Sequence, residues 1–489
     1  MKFLDSLQRD QIGFSFVMDK LGITTAYGLE HRKNIKPFKA SEINELTHEL
    51  NNLENIITSM RLHVEEYKQI GRIFCKFKDI RNSIKRCSES EILDEVELYE
   101  IKYFSILVTQ LKDILDKLHL DIEDVHLNSV EEVISFLDPQ GSGIPTFYVY
   151  DEYSTTLKYI RENKRKKEKE IFAAETEEKL SELKQQRLDF VIEEEEEEKR
   201  IRKALTLQIS EKTKILNQNT KAIGKLDFLI AKANLSIDYN GTRPKICDDM
   251  RIHFKNAFNP EVKDILVKRK KRFTPVSIDL NSGTTIITGA NMGGKSVTLK
   301  TIVLNLLLGQ MGFFVFAKSA EFPILGFIHF VSDDMQSISK GLSTFGAEII
   351  KLKEVVECAK RENGFIALDE FARGTNPKEG YYLVKSLAKY LTKLTSVSLI
   401  STHYDGVVED RMEHYQVMGL KNVDFNDLKY RIDLNKTHSV EIIQEHMEYK
   451  LERVSKENKV PKDALNIAVL LGLEKEIVDI AKTFYNEEE

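Results

Sequence analysis

The chain has 489 residues, of which 42% are hydrophobic and 31% charged, with nine prolines and no tryptophan. This length predicts several domains, and the composition is typical of a helix-rich protein with long charged surfaces. The formal net charge of −6 offers no overall attraction to nucleic acid. Four scattered cysteines, no signal peptide and no bilayer-length apolar run predict a soluble protein of the reducing cytoplasm, without a membrane partner.

Helical periodicity dominates residues 1–153. Apolar residues recur there at spacings of three and four, for example over residues 43–56. A cluster of proline, glycine and serine at residues 138–145 then interrupts the pattern. We therefore predict an all-α domain over residues 1–153.

Residues 154–235 are rich in helix formers and charge and contain no proline. A basic block lies at residues 161–169, and six consecutive glutamates lie at residues 193–198. So low an apolar content predicts a long antiparallel helical pair, or coiled coil, with a thin apolar seam. Each charged block is interpreted first as a solvated helix face, although the two blocks could instead pair with each other across the hairpin.

The periodicity changes after residues 240–244. Short apolar runs then alternate with helical segments, which is typical of an α/β domain. We predict this domain over residues 236–455, followed by a C-terminal helical segment at residues 456–489.

The most specific motif is GANMGGKS at residues 289–296, which matches GxxxxGK[ST] between an apolar run and a helical segment. In such a loop, glycines allow backbone N–H groups to turn toward phosphates, and the following helix presents its positive end. Lys295 would reach the β- and γ-phosphates, and the Ser296 hydroxyl would bind Mg²⁺. The motif therefore predicts a site for ATP and Mg²⁺.

Two strand ends supply further candidate groups. The apolar run at residues 364–370 ends in Asp369, which could enter the Mg²⁺ shell, and Glu370, which could orient and deprotonate a water. The run at residues 397–401 leads to His403, which could hydrogen-bond the γ-phosphate or that water. We predict Glu370 and His403 as the catalytic residues.

A third segment, residues 342–348, has the pattern of a loop that enters a helix. Ser343 or Thr344 would cap this helix, and local sequence alone favours simple capping. Because a helix N-terminus binds anions, the same residues could hold the γ-phosphate of a neighbouring subunit's ATP.

Five segments in this order resemble the ATPase domain of the MutS family, within the ATP-binding-cassette class. They are TGANMGGKSVTLKT, SDDMQSISKGLSTFGAE, FIALDEFARGTNPKEG, LISTHY and ALNIAVLLGLEKEIVDIAK. The words LKT, DMQSI and GTNPKEG resemble the MutS-two subfamily. The resemblance implies an α/β P-loop ATPase domain of the ATP-binding-cassette type, preceded by an all-α lever domain with a long helical-hairpin arm.

The resemblance also implies roles for single residues. Asn291 and Lys295 would contact the terminal phosphates, Glu370 would position water, and His403 would sense the γ-phosphate. Ser343 and Thr344 would belong to a signature that completes the partner's site, within a homodimer or a heterodimer with a related MutS-like subunit. Residues 456–489 would supply the dimerisation helices. The implied ATP-binding and metal-binding residues are Gly289, Asn291, Met292, Gly293, Gly294, Lys295 and Ser296 for ATP, and Ser296 and Asp369 for Mg²⁺.

The resemblance leaves the client of the ATPase open between two classes. No Phe-x-Glu, the wedge of MutS repair proteins, occurs in residues 1–150. We also expect the protein to lack the Smr domain that is typical of MutS-two proteins. The implied function is an ATPase whose dimer remodels a macromolecular client. The chain also resembles the MutS-like reactivating ATPase of lysine aminomutase, which implies a protein client such as a cobalamin-dependent aminomutase. We favour a protein client over DNA, because residues 193–198 would repel DNA phosphates. The alternative is a DNA-binding clamp of the mismatch-repair or recombination-control type.

Overall fold

A computed structural model describes residues 2–120, 122–289, 293–332, 344–420, 446–454 and 463–487. The chain divides into two compact units. The first unit comprises Met1–Leu21, Lys36–Asn51 and Asn234–Glu489, and the second comprises Gly22–Ile35 and Asn52–Ala233.

The described residues form helices in both units and strands in the first. The α-helices are α1 (Ser6–Gln11), α2 (Phe14–Asp19), α3 (Ala26–Asn34), α4 (Ile43–Leu62), α5 (Val64–Phe74), α6 (Arg81–Ser88), α7 (Glu95–Leu118), α8 (Glu131–Leu137), α9 (Thr155–Phe172), α10 (Glu177–Ser210), α11 (Thr213–Asp238), α12 (Pro260–Lys268), α13 (Lys295–Gln310), α14 (Thr344–Ala359), α15 (Pro377–Leu391), α16 (Asp463–Leu470) and α17 (Lys475–Glu487). The strands are β1 (Lys245–Ile246), β2 (Arg251–Ala257), β3 (Val276–Asn281), β4 (Gly283–Thr288), β5 (Ser319–Phe322), β6 (Ile328–Ser332), β7 (Phe365–Asp369), β8 (Val397–Ser401), β9 (Glu413–Gly419) and β10 (Glu448–Arg453). None of these described helices combines the length and the apolar character needed to cross a membrane.

Two sheets organise the first unit. Within its described residues, one sheet has the order β10-β9-β4-β8-β7-β6 and the other β1-β5-β2-β3. In the larger sheet β9, β4, β8, β7 and β6 are parallel, and β10 is antiparallel to β9. Strands β4, β6, β7 and β8 are buried at every residue, as parallel strands covered on both faces must be. The predicted α/β character of this part of the chain is therefore confirmed.

Helices cover both faces of the larger sheet. Helix α13 contacts β2 of the smaller sheet and β6, β7 and β8 of the larger one, so it lies between the sheets. This position explains why nearly all of its residues are buried. On the other face, Val355 of α14 and Val384 and Ala388 of α15 pack in a core with Ile366 and Ile400. This packing fixes the strand ends that carry the candidate site.

The N-terminal residues differ from the sequence-based division, which assigns residues 1–153 to one helical domain. Residues 2–21 and 36–51 are part of the first unit. Hydrogen bonds explain this placement: the Asn259 side chain donates to the Ile12 carbonyl at 2.9 Å, and the Gln310 amide donates to the Phe38 carbonyl at 2.9 Å. Both are long-range contacts, which local periodicity does not encode.

A buried histidine lies in β6 of the same unit. His329 is 1% exposed, and its ring is tilted by 39° against the Phe327 ring, with 5.3 Å between the ring centroids. Neither ring nitrogen has a hydrogen-bond partner among the described residues. Burial lowers the pKa of His329 from 6.5 to about 4, with help from Lys351 and against the opposing charges of Glu354 and Asp5. The folded unit therefore holds this imidazole neutral.

We expect this histidine to make the first unit sensitive to acid. Because the pKa in the folded state is depressed, the unfolded chain binds the extra proton between pH 6.5 and about 4, and stability is lost as the pH falls through that range. At pH 5 the loss is on the order of 2 kcal/mol. Urea unfolding followed by circular dichroism at pH 7.5 and pH 5 measures it.

The variant His329→Phe should remove this part of the pH dependence, since phenylalanine keeps the ring and has nothing to protonate. Replacing the exposed His48 of α4 with Gln is the matched control and should leave the dependence in place. Equal pH slopes for the wild type and His329→Phe would contradict the assignment.

In the second unit, a buried carboxylate joins the start of α3 to α11. Asp227 accepts hydrogen bonds from the Thr24 and Thr25 amides, at 3.1 and 2.7 Å, and from the Thr25 hydroxyl at 2.7 Å. Burial raises the pKa of Asp227, although these bonds oppose the rise. Satisfying a helix N-terminus with a buried side chain stabilises both elements.

Helices α9 and α10 pair along their lengths. Arg161 of α9 contacts Glu194 and Glu198 of α10 at 2.8 and 2.7 Å, and Lys164 also contacts Glu194. These contacts join the start of α9 to the far half of α10, so the helices run antiparallel. Although burial opposes it, Lys164 and Arg161 hold the pKa of Glu194 below its usual value. The basic and acidic blocks therefore pair with each other, and the solvated-face interpretation is wrong for Glu194 and Glu198.

Helix α11 differs from this pair. Its residues Leu216, Ile223, Leu226 and Leu229 are fully buried in the second unit. The interpretation of residues 154–235 as a segment with little apolar surface holds only for α9 and α10. The prediction of a thin apolar seam does not hold for α11, because this helix carries a full core-facing side.

Candidate active site

The phosphate-loop motif connects the buried strand β4 to α13, which begins at Lys295. Gly289 has a φ of 130°, and a Cβ there would lie 3.0 Å from Cβ of Val417 and 3.2 Å from its backbone. Gly294 has a φ of 86°, and a Cβ there would lie 3.2 Å from the Tyr449 ring. Side chains are excluded at both positions by the backbone conformation and by the close neighbours. The glycines are thus required by the local structure, as a backbone cradle for an anion needs.

Lys295 is the buried cation of this loop. Its side chain is 3% exposed, its Nζ donates to the Gly289 carbonyl at 2.8 Å, and it lies 3.4 Å from Oε1 of Glu370. Burial lowers the pKa of Lys295, and the nearby Glu370 carboxylate opposes that effect. A desolvated ammonium group at the start of a helix can attract a highly charged anion strongly.

Asp369 ends β7 beside the end of β8. The Ser401 hydroxyl donates to Oδ1 of Asp369 at 2.6 Å, and the Ser296 hydroxyl also hydrogen-bonds this carboxylate. Burial raises the pKa of Asp369, while both hydroxyl groups oppose the rise. The hydroxyl of Ser296 and the carboxylate of Asp369 are hard oxygen donors, which suit Mg²⁺.

The donor set is small. Among the described residues no group of three His, Cys, Asp or Glu side chains is arranged to hold a metal ion. A Mg²⁺ ion takes few protein ligands when phosphate oxygens and water complete its shell. Ser296 and Asp369 therefore fit a metal ion that is bound together with a nucleotide.

Glu370 follows directly and is 8% exposed. Its backbone has a φ of 47°, a left-handed conformation that is unfavourable for a residue with a side chain. Its amide donates to the Ser401 carbonyl at 3.2 Å, and its Oε2 accepts from Arg373 at 2.7 Å. A carboxylate held in strained geometry beside two cations is typical of a functional site.

His403 lies two residues beyond the end of β8. The residue is exposed, and its ring packs 4.2 Å from the Tyr404 ring. Partial desolvation lowers the pKa of His403; Lys295 also lowers it, while Glu370 opposes the shift. Because β8 pairs with β7 in parallel, His403 lies at the same edge of the sheet as Asp369 and Glu370. The structure thus brings together Lys295, Ser296, Asp369, Glu370 and His403 where the parallel strands end, the usual ligand position in such sheets.

Some predicted residues lie outside the described residues. Asn291, Met292 and Ser343 are among them, and of Thr344 only the backbone, at the start of α14, is described. Gly293 is buried. The contacts predicted for Asn291, Met292 and the signature residues therefore stay predictions.

Three residues of the site were not predicted as site residues. Ser401 was visible as a polar residue at the end of an apolar run, and Arg373 follows Glu370 closely in the sequence. Tyr449 carries no local signal, because it reaches Gly294 only through the pairing of β10 with β9. Its ring lies beside Gly294.

The segment that carries the site is similar in sequence to known proteins. Residues 285–487 match the family model of MutS domain V. Endonuclease MutS2 of Staphylococcus epidermidis strain RP62A is 32% identical over 301 residues, which are 60% of this chain and 34% of that protein. Endonuclease MutS2 of Acetivibrio thermocellus is 30% identical over 412 residues, which are 82% of this chain and 48% of that protein. The chain thus spans less than half the length of these relatives.

Proposed function

We infer that this chain, which belongs to the MutS family of ATPases and is similar to MutS2, hydrolyses ATP with Mg²⁺ and uses the cycle to act on DNA. The observation that carries the ATPase assignment is the convergence of Lys295, Ser296, Asp369 and Glu370 at one edge of a parallel sheet. Phosphoryl transfer needs a cation for the phosphates, oxygen ligands for a metal and a group that orients water, and this edge holds all three.

The roles follow from the contacts. Lys295 would bind the terminal phosphates, since its ammonium group is already desolvated inside the loop. Ser296 and Asp369 would hold Mg²⁺, which when bound neutralises developing charge on the phosphates. Glu370 would orient the attacking water and accept its proton, and His403 would hydrogen-bond the γ-phosphate. The flat ring of Tyr449, beside Gly294, offers a surface on which a nucleotide base can stack.

A dimer is the proposed working state. In α17, Ile477, Ile480 and Phe484 are 52%, 51% and 62% exposed and share one helix face by their spacing. An apolar stripe of this kind suits a helix that packs against a second subunit. In such a dimer, Ser343 and Thr344 of one protomer would complete the nucleotide site of the other. The partner is a second copy or a related MutS-like subunit.

Helices α9 and α10 are proposed as the arm that meets the client, carried by a helical lever domain. The preference for a protein client depends on repulsion between DNA and the glutamates at residues 193–198. Two of these six glutamates pair with Arg161 and Lys164, which reduces that repulsion. Helix α9 has seven basic and three acidic residues and α10 has seven and ten, so the pair carries a net charge of +1.

DNA is the better-supported client, in agreement with the alternative of a DNA-binding clamp. The relatives are called endonucleases, and endonucleases act on nucleic acid. Helix α9 also exposes Lys158, Arg165, Lys166 and Lys169, which are positioned to contact phosphates. We propose a clamp-like grip on branched or distorted duplexes that changes with the nucleotide state.

We expect branched DNA to bind about 10-fold more tightly than a linear duplex of equal length at physiological salt. The variant Arg165→Gln, Lys166→Gln, Lys169→Gln should weaken binding at least about 10-fold and reduce the salt slope by 2 to 3, at roughly 0.9 per lost phosphate contact. Fluorescence anisotropy over a salt series measures both quantities.

The matched control places the same charge change elsewhere in the second unit, in the turn after α5 and on α6 and α7. It is Lys76→Gln, Lys85→Gln, Lys117→Gln, at residues that are also exposed. The control should bind DNA with an unchanged preference for branches. If neither triple variant affects DNA binding and branched and linear duplexes bind alike, the DNA assignment is wrong and a protein client is the remaining choice.

A further inference from the structure

A buried carboxylate on α14 reaches the turn that follows the water-orienting Glu370. Glu348 is 1% exposed, and its Oε2 accepts a hydrogen bond of 3.0 Å from the Ala372 amide. Burying a carboxylate costs free energy unless hydrogen bonds compensate. A buried glutamate at this position therefore calls for a structural or functional explanation. No role assigned above uses Glu348.

The turn at residues 370–373 is conformationally strained. Glu370 and Ala372 both have left-handed backbones, with φ of 47° and 63°. Each such non-glycine residue costs about 1 kcal/mol or more, so the surrounding structure must hold the turn in place. The turn presents the Glu370 carboxylate toward Lys295, which lies 3.4 Å away.

Three neighbouring elements hold this turn. Ser401, at the end of β8, accepts from the Glu370 amide, and Glu348 of α14 accepts from the Ala372 amide. The Tyr404 hydroxyl donates to the Ala372 carbonyl at 3.4 Å. The bond from Glu348 comes from α14. The first residue of this helix, Thr344, lies four positions before Glu348 in the sequence.

We propose that Glu348 is a positioning residue, which fixes the direction of the Glu370 carboxylate and ties it to the position of α14. Glu370 and Ala372 are only two residues apart, and the backbone amide of each donates a hydrogen bond to a neighbouring element. Loss of the Glu348 bond therefore leaves Ala372, at one end of the strained turn, with the longer bond from Tyr404, and the direction of the Glu370 carboxylate becomes less fixed. Because α14 begins in the signature segment, a shift of this helix would alter the position of the catalytic group. This inference rests on the ATPase function proposed above.

The test compares two replacements of Glu348. Methionine keeps the approximate volume and removes the acceptor, whereas glutamine keeps an amide oxygen that can accept from Ala372. We expect Glu348→Met to lower kcat about 10-fold or more, with the KM for ATP and the Kd for ADP within about 2-fold of the wild type. Glu348→Gln should retain at least about a third of the wild-type kcat. Glu357→Met, at an exposed site on the same helix, is the matched control and should behave as the wild type.

The outcomes separate this inference from the ATPase assignment. A wild-type protein without ATPase activity would contradict the proposed function itself. An active wild type with an equally active Glu348→Met variant would overturn only the role of Glu348. Loss of kcat together with a large rise in KM would also overturn it, since general disruption of the site would then explain the effect. If Glu348→Met does not fold, Glu348→Gln decides alone, and a loss of 10-fold or more there would overturn the role of the hydrogen bond.

Discussion

Replacing Glu370 with glutamine is expected to lower ATP turnover by about 100-fold or more while ATP still binds. Glutamine keeps the shape of the side chain but cannot accept a proton from water. The contacts proposed for the phosphates and for Mg²⁺ belong to Lys295, Ser296 and Asp369, and the substitution leaves these side chains unchanged. Steady-state phosphate release and equilibrium binding of a fluorescent ATP analogue measure the two effects separately.

The opposite pattern is expected at Tyr449, which serves as the matched control. Its ring lies beside Gly294 and not beside Glu370. Tyr449→Leu should therefore weaken ATP binding by about 10-fold, as loss of one stacking contact would. At saturating ATP, its kcat should stay within about 3-fold of the wild type. Unchanged turnover in Glu370→Gln would show that another group handles the attacking water.

The site was predictable where its chemistry is local in sequence. The loop at residues 289–296 combines glycines, a lysine and a serine in one run, and the structure requires glycine at Gly289 and Gly294 for steric reasons. Similarly, Asp369 and Glu370 end an apolar strand, and the end of a parallel strand is where ligands bind. Asn376 and Pro377, part of the GTNPKEG resemblance, also have a local reason, since they form the N-cap and first position of α15.

The parts that could not be predicted depend on distant contacts. Tyr449 lies beside Gly294 because β10 pairs with β9, and no local sequence pattern encodes this pairing. Glu348 is on α14 and accepts a hydrogen bond from Ala372, which lies in the turn after β7. The glutamate run shows the same limit. Its charge was visible in the sequence, but its partners, Arg161 and Lys164, lie about 30 positions earlier on the facing helix. Composition reports charge, whereas the effect of charge on a partner depends on pairing.

The second large effect concerns the sharing of sites between subunits. The variant Ser343→Ala, Thr344→Ala should bind ATP within about 3-fold of the wild type and lose most turnover, about 100-fold, because its phosphate loop is intact. Lys295→Ala should fail because the buried cation of the loop is missing. Each of these two proteins is expected to be inactive alone.

Mixed dimers of these two variants distinguish a shared site from a site within one subunit. In a two-fold dimer, the intact loop of one subunit meets the intact signature of the other once, so one of the two sites is complete. Dimers isolated with two different affinity tags should therefore show about half of the wild-type turnover. The control joins a wild-type subunit to one that carries all three substitutions. It has the same mutations but no complete shared site, and we expect it to be inactive. An inactive mixed dimer with an active control would mean that each subunit works with its own signature, and the shared-site proposal would fail.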